Sequence, residues 1–198
     1  MSWPAQRSIK MRLYTSIFLW LLASAFITGT DELIPWKSDR KLTWADFKSK
    51  KQEFGTGMDA YTAYMLTLTP ENNGKTDSIT VHVECSFDKN KSAVRKGKLS
   101  DELLKHEQGH FDLAEVYARL LRKKLSATKT SLQNAQSTLN DLYKSAFSEL
   151  EAEQAKYDRE TDHSRVADKQ ELWNKKIEDR LTELEKFSGT VVKVKITK

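Results

Sequence analysis

His106, Glu107 and His110 stand in the order His-Glu-x-x-His. Four residues apart on a helix, two histidines face the same way, so both imidazoles can grip one ion. Glu107, beside the first of them, then points toward the open coordination position. There it can accept a proton from a water that zinc has acidified to a pKa near ~7. Two ligands and a general base thus come from five consecutive residues. Gly109 lies inside the motif. A mid-helix glycine costs about 1 kcal/mol relative to alanine, and a close-packing or site requirement would account for it. The plain alternative is an ordinary helix whose two histidines meet polar partners.

A catalytic zinc takes three protein ligands. If the next helix runs back antiparallel across a turn near residues 126 to 130, the level of His110 returns around residues 146 to 150. Glu149 and Glu153 lie near there. Asp158 and His163 sit where that second helix ends and the chain can fold back over the site. The chain has four histidines, and His82 belongs to the polar face of a strand, which leaves His163 as the other natural donor. Geometry alone does not choose among these four. Tyr157 could bring a phenol to stabilise an oxyanion, or face the core. Asp112 and Glu115 could orient a ligand histidine, or be surface carboxylates.

The elements that must position these residues are legible in the patterning. Residues 31 to 99 read as the β-rich half. Leu42 to Trp44 looks like a short strand and Ala45 to Ser49 like one helical turn. Met58 to Thr69 alternates loosely, Pro70 to Gly74 has turn composition, and Ile79, Val81, Val83, Cys85 and Phe87 alternate cleanly with polar residues. The two alternating stretches, Met58 to Thr69 and Ile79 to Phe87, are expected to form a hairpin. From residue 100 the chain turns helical. Ser100 caps a helix to about Leu125, with Asp101 and Glu102 in its first turn and basic residues in its last. A second helix, about Thr130 to Tyr157, carries Leu132, Ala135, Leu139, Leu142, Ala146, Leu150 and Tyr157 on one stripe. A third, about Val166 to Phe187, repeats the pattern with Trp173, Ile177, Leu181 and Leu184. The tail alternates Val192, Val194 and Ile196 with lysines, as an edge strand would.

Arg7, Lys10 and Arg12 precede an apolar run from Tyr14 to Ile27 that contains Ala23-Ser24-Ala25. This is the pattern of a secretory signal peptide, expected over residues 1–25, with an uncleaved anchor as the alternative. Residues 26–198 are then one domain. Of the formal net charge of +5, three charges belong to the leader (Arg7, Lys10 and Arg12), so the remainder is near +2. Its lysines are interleaved with acidic residues, which argues against the clustered basic face of a nucleic-acid binder. Cys85 is the single cysteine. It cannot form an internal disulfide, and its place on the apolar side of a strand makes it a small core residue.

Three stretches together resemble the bacterial family of predicted secreted zinc-dependent proteases, catalogued as a domain of unknown function. They are Leu42-Thr43-Trp44-Ala45-Asp46-Phe47, His106-Glu107-Gln108-Gly109-His110-Phe111-Asp112, and Tyr157-Asp158 with Thr161, His163 and the later Trp173. The resemblance covers about residues 34 to 185. Family members share a Thr-x-His-Gly pattern, matched here by Thr161 and His163, with Ser164 in place of the glycine. The resemblance implies His163 as third ligand, a peptidase-like fold and an extracytoplasmic setting.

The expected architecture is α+β and zincin-like: a small antiparallel sheet from residues 34 to 90 packed on the active-site helix, followed by two long helices. The expected function is zinc-dependent peptide-bond hydrolysis outside the cytoplasm, secreted or periplasmic. Zn2+ is bound by His106, His110 and His163, and Glu107 is the base. The substrate is a peptide or protein, lying against Met58 to Thr69 or Ile79 to Phe87 by strand addition. Nucleic acid is not an expected partner, and a membrane is one only through an uncleaved leader. Two alternatives stay open: a catalytically idle metal- or peptide-binding envelope protein, and an interaction protein that docks through its helical stripes.

Overall fold

The computed structural model describes residues 32–50, 54–71 and 77–197; the leader expected over residues 1–25 lies outside them. The longest strand, β4 (Ser78–Asp88), is the axis of the sheet. Its alternation puts Val81, Val83, Cys85 and Phe87 inward, each all but fully buried, because successive side chains point to opposite faces. β3 (Tyr64–Glu71) pairs antiparallel with β4 from Tyr64–Phe87 to Glu71–Thr80, forming the expected hairpin. On its other side β4 carries β1 (Leu33–Pro35) at one end and β7 (Val191–Thr197) at the other.

The sheet is mixed, not wholly antiparallel. β6 (Lys129–Ser131) lies parallel to β7, so the tail is an interior strand and β6 the edge. The second helix accordingly starts later than its stripe suggested, and Leu132 is exposed. A separate two-stranded ribbon pairs β2 (Ala60–Tyr61) with β5 (Ala93–Val94). Near residue 43 the expected strand is absent: Trp44–Asp46 forms a 3-10 turn, with the Asp46 carboxylate accepting from the Thr43 amide at 2.8 Å. That bond closes the local turn before a strand can form. Pro70 sits inside β3 rather than opening a turn.

Three helices pack together beside the sheet. α1 (Asp101–Ala127) begins where Ser100 Oγ accepts from the Leu103 amide at 3.1 Å. From Phe111 to Arg122 it is buried on nearly every side, its charged residues included; Phe111, Leu113, Ala114, Val116, Ala118, Leu121 and Leu125 are completely buried. α2 (Ala135–Thr161) and α3 (Ala167–Glu183) enclose it, followed by a 3-10 turn at Glu185–Phe187. The stripes of both helices are core: Leu139, Ala146, Leu150, Tyr157, Trp173, Ile177 and Leu184 are buried in one cluster with the sheet. A run of tilted and edge-to-face aromatic contacts through Trp44, Phe47, Phe87 and Phe111, with centroids 5.0, 5.1 and 5.8 Å apart, links the 3-10 turn to α1. The fold is therefore α+β, a curled mixed sheet with three helices packed together.

Candidate metal centre

The second and third turns of α1 present His106 (1% exposed), Glu107 and His110 toward a cleft of about 190 Å3. The other wall comes from the last turns of α2. The level of His110 is met at Gln154, one to two turns beyond the expected 146 to 150: Gln154 Oε1 meets His110 Nδ1, and Gln154 Nε2 donates to the His110 carbonyl at 2.9 Å. One turn further, Asp158 Oδ1 lies 3.2 Å from His106 Nε2 and 2.9 Å from His110 Nε2, while the two Nε2 atoms are 3.1 Å apart. These three residues bring their donor atoms together as a group that could hold a metal ion.

Neighbouring side chains decide which ring nitrogens face inward. Gln170 Nε2 donates to Tyr157 Oη at 2.7 Å and to Asn174 Oδ1 at 2.8 Å, which turns its Oε1 toward His106 Nδ1 at 3.0 Å. Gln154 is oriented likewise by the His110 carbonyl. Both Nδ1 atoms must then carry the proton, so both Nε2 atoms present lone pairs. Two lone pairs and a carboxylate oxygen then converge, an arrangement that suits a positive charge, a cation or a proton. Donors about 2.0–2.1 Å from a tetrahedral ion stand roughly 3.3 Å apart, and the observed separations are close to that. The donor set could therefore hold a metal ion.

The group attracts positive charge of either kind, an ion or a proton. Burial disfavours the Asp158 carboxylate, but hydrogen bonds from His106 and His110, when these carry protons in place of a cation, outweigh it and hold the group well below the usual carboxylate range. For His110, burial opposes the imidazolium, yet Asp158 and the charge of Glu107 pull its pKa up to about 8. Glu107 is itself buried, its Oε2 accepting from Thr62 Oγ1 at 2.6 Å.

His163 stands beside this group and outside it, its Nδ1 3.4 Å from Asp158 Oδ1. It is held by three successive left-handed residues, Asp162, His163 and Ser164, with φ of 45, 52 and 79°. Left-handed backbone costs a non-glycine residue roughly 1–2 kcal/mol, which explains why a glycine suits the position of Ser164. Glu149 and Glu153 are elsewhere. Glu149 pairs with Lys124 at 2.9 Å, and Glu153 joins α2 to α3 through Lys176 and Arg180, both at 2.6 Å.

Tyr157 is completely buried, stacks on His106 (4.6 Å, 18°) and donates to the His106 carbonyl at 3.1 Å. That places its hydroxyl behind the ligand helix, not in the cleft. Gly109 is the counterpart of this contact, since a Cβ there would fall on the phenol oxygen. Asp112 faces the other side of α1, accepting from Trp36 Nε1 at 2.7 Å and Gln108 Nε2 at 2.8 Å beside a second hollow of about 610 Å3. Glu115 is buried against Arg119 and Arg122. Neither carboxylate touches a ligand histidine or lies free on the surface.

Sequence reasoning overlooked Thr62, Gln154 and Gln170, and named Thr161 only as part of a matched pattern. Three of the four had a signal. Gln154 and Thr161 continue the apolar stripe of α2, Gln170 begins that of α3, and all three are buried. A polar residue on a core stripe must have a partner to satisfy it. Thr62 offered no such signal.

No curated protein and no solved structure matches the chain. A family model, that of a bacterial protein of unknown function (DUF922), matches residues 42–164. That span runs from the 3-10 turn below the sheet to the left-handed turn carrying His163, and takes in every residue of the metal centre except Gln170. The chain belongs to this bacterial family, DUF922.

Proposed function

We propose that this protein is a zinc-dependent peptide hydrolase working outside the cytoplasm, secreted or periplasmic, with a zincin-like use of its helix. The observation that carries the reading is the convergence of His106 Nε2, His110 Nε2 and Asp158 Oδ1. Those three residues would hold the ion, and His163, beside Asp158, is the neighbouring candidate ligand. A bound zinc ion supplies Lewis acidity to a water and to a substrate carbonyl.

The protein's own residues supply the rest. Gln170 and Gln154 keep both histidines in the tautomer that leaves Nε2 open. Thr62 holds Glu107 by Oε2, so that its other oxygen, Oε1, can take a proton from the attacking water and pass it to the leaving amine. The peptide lies in the cleft, along residues 58–62. The sheet's other candidate edges suit it less: β4 is paired on both sides, and Tyr143 Oη already donates to the Leu66 carbonyl at 2.9 Å on β3. The pattern of residues 1–25 supports export.

Glu107→Gln is the test. It is expected to keep zinc and lose hydrolysis of a mixed peptide pool, read by mass spectrometry. A variant as active as the parent would refute the role of Glu107. Zinc retained by the parent with no turnover on any pool would favour the metal-binding envelope protein instead.

A further inference from the structure

Three polar residues of α2 face the cleft at spacings of three and four: Glu151, Gln154 and Asp158. Such spacing sets them on one side of the helix. Gln154 orients His110 and Asp158 belongs to the metal centre. Glu151 does neither. Its carboxylate accepts from Tyr64 Oη, across from β3, and is exposed on the cleft wall beside Tyr61 and Tyr64.

The cleft's other carboxylate outside the centre makes the contrast. Asp59 is ringed by cations, Arg95 at 3.2 Å, Arg165 at 3.6 Å and Lys98 at 3.7 Å. Among the described residues no lysine or arginine nitrogen lies within ion-pair distance of Glu151. The phenol fixes the direction of the carboxylate without neutralising it. One part of the cleft is thus over-supplied with positive charge, and another ends in an oriented negative charge with no cation of its own.

Resting on the peptide-hydrolase reading, we propose that Glu151 is a specificity residue that selects a lysine or arginine side chain in the bound peptide. Seven residues separate Glu151 from Asp158, about 10 Å along the helix axis. An extended peptide covers that distance in roughly three residues. The selected side chain therefore sits two or three residues from the bond at the metal centre, its aliphatic stem against Tyr61 and Tyr64 and its charged end on the carboxylate.

The test reads binding apart from turnover. A pool of random octapeptides is passed over immobilised zinc-loaded Glu107→Gln protein, and the retained sequences are read by mass spectrometry. The capture is repeated with Glu151→Gln and with Glu151→Lys added, each checked for an unaltered thermal unfolding midpoint. Enrichment of lysine and arginine at one position, about three- to fivefold over the input as suits a partly exposed ion pair, is expected in the parent. Glu151→Gln should abolish it, and Glu151→Lys should replace it with aspartate and glutamate. Enrichment that survives Glu151→Gln overturns the proposal, as does a retained set with no basic preference. Basic-selective capture by a protein whose Glu107 form cleaves nothing would leave Glu151 in its role and remove the hydrolase. Cleavage with no basic preference would do the reverse.

Discussion

The two halves of α1 each bury a polar cluster, and the clusters are built on opposite principles. In the C-terminal half, Glu115, Arg119 and Arg122 are all within 3% of full burial. Arg122 donates to both Glu115 oxygens and to the carbonyls of Val83 and Phe187. Arg119 donates to Glu115, Glu185 and the Leu181 carbonyl. Donors meet acceptors throughout, and the cluster ties the helix to the sheet and to the chain after α3. In the N-terminal half, two imidazoles and a carboxylate converge at His106, His110 and Asp158, and only added positive charge, an ion or a proton, balances them. A buried polar cluster that closes on itself is structural. One that leaves like groups facing each other marks a ligand.

That contrast can be broken or sharpened by substitution. The largest effect is expected at Arg122. Arg122→Met leaves buried carbonyls and much of Glu115 without a donor, and should lower stability by about 3–5 kcal/mol in urea unfolding. The folded fraction should still bind one equivalent of zinc, so loss of zinc from folded protein would blur the distinction between the halves. Gln170→Leu should act the other way. It frees the tautomer of His106, and zinc affinity measured by competition with a chelator should drop about 10–100-fold, while stability without metal changes far less than in the Arg122 variant.

Gly109→Ala reverses an ordinary rule. In an exposed helix the change stabilises by about 1 kcal/mol; here the new Cβ meets Tyr157, and a loss of about 1–2 kcal/mol is expected in thermal unfolding. A gain would mean that Tyr157 does not pack as described. The smallest effect belongs to Glu153, a paired carboxylate outside both clusters. Burial acts against its charge, but Lys176 and Arg180 outweigh it and lower its pKa. A carboxylate with a lowered folded pKa contributes stability above its unfolded value, near ~4.3, and loses that contribution as pH falls toward the folded value. Glu153→Gln should therefore cost about 1 kcal/mol at pH 7, and its gap to the parent should close below about pH 4. A gap that widened in acid would contradict the assignment.

How much of this was legible beforehand follows from which forces are local. The helix bearing His106 and His110 could be read because its cap, its first-turn acids and its i, i+4 spacing are all written within a few residues. The β3–β4 hairpin could be read from alternation for the same reason. Assembly over long separations could not. Nothing in Lys129–Ser131 announces a parallel partner more than sixty residues later, so the start of α2 was misplaced and the tail was taken for an edge. The helix pairing was right in kind but shifted along its axis, which put Glu149 and Glu153 at a level that belongs to Gln154 and Asp158. Asp158 was among the candidates, and local spacing could not rank it against His163, because the left-handed turn at residues 162 to 164 decides where that imidazole stands.

The central claim is that the histidines and Asp158 hold an ion together. The direct measurement is zinc content after saturation and gel filtration, for the parent chain, His106→Ala, Asp158→Asn and His163→Ala, with folding confirmed by circular dichroism. One zinc per parent chain, lost in His106→Ala and in Asp158→Asn and kept in His163→Ala, is the result expected. A folded parent chain that retains no zinc, or an Asp158→Asn chain that retains it fully, would contradict the claim.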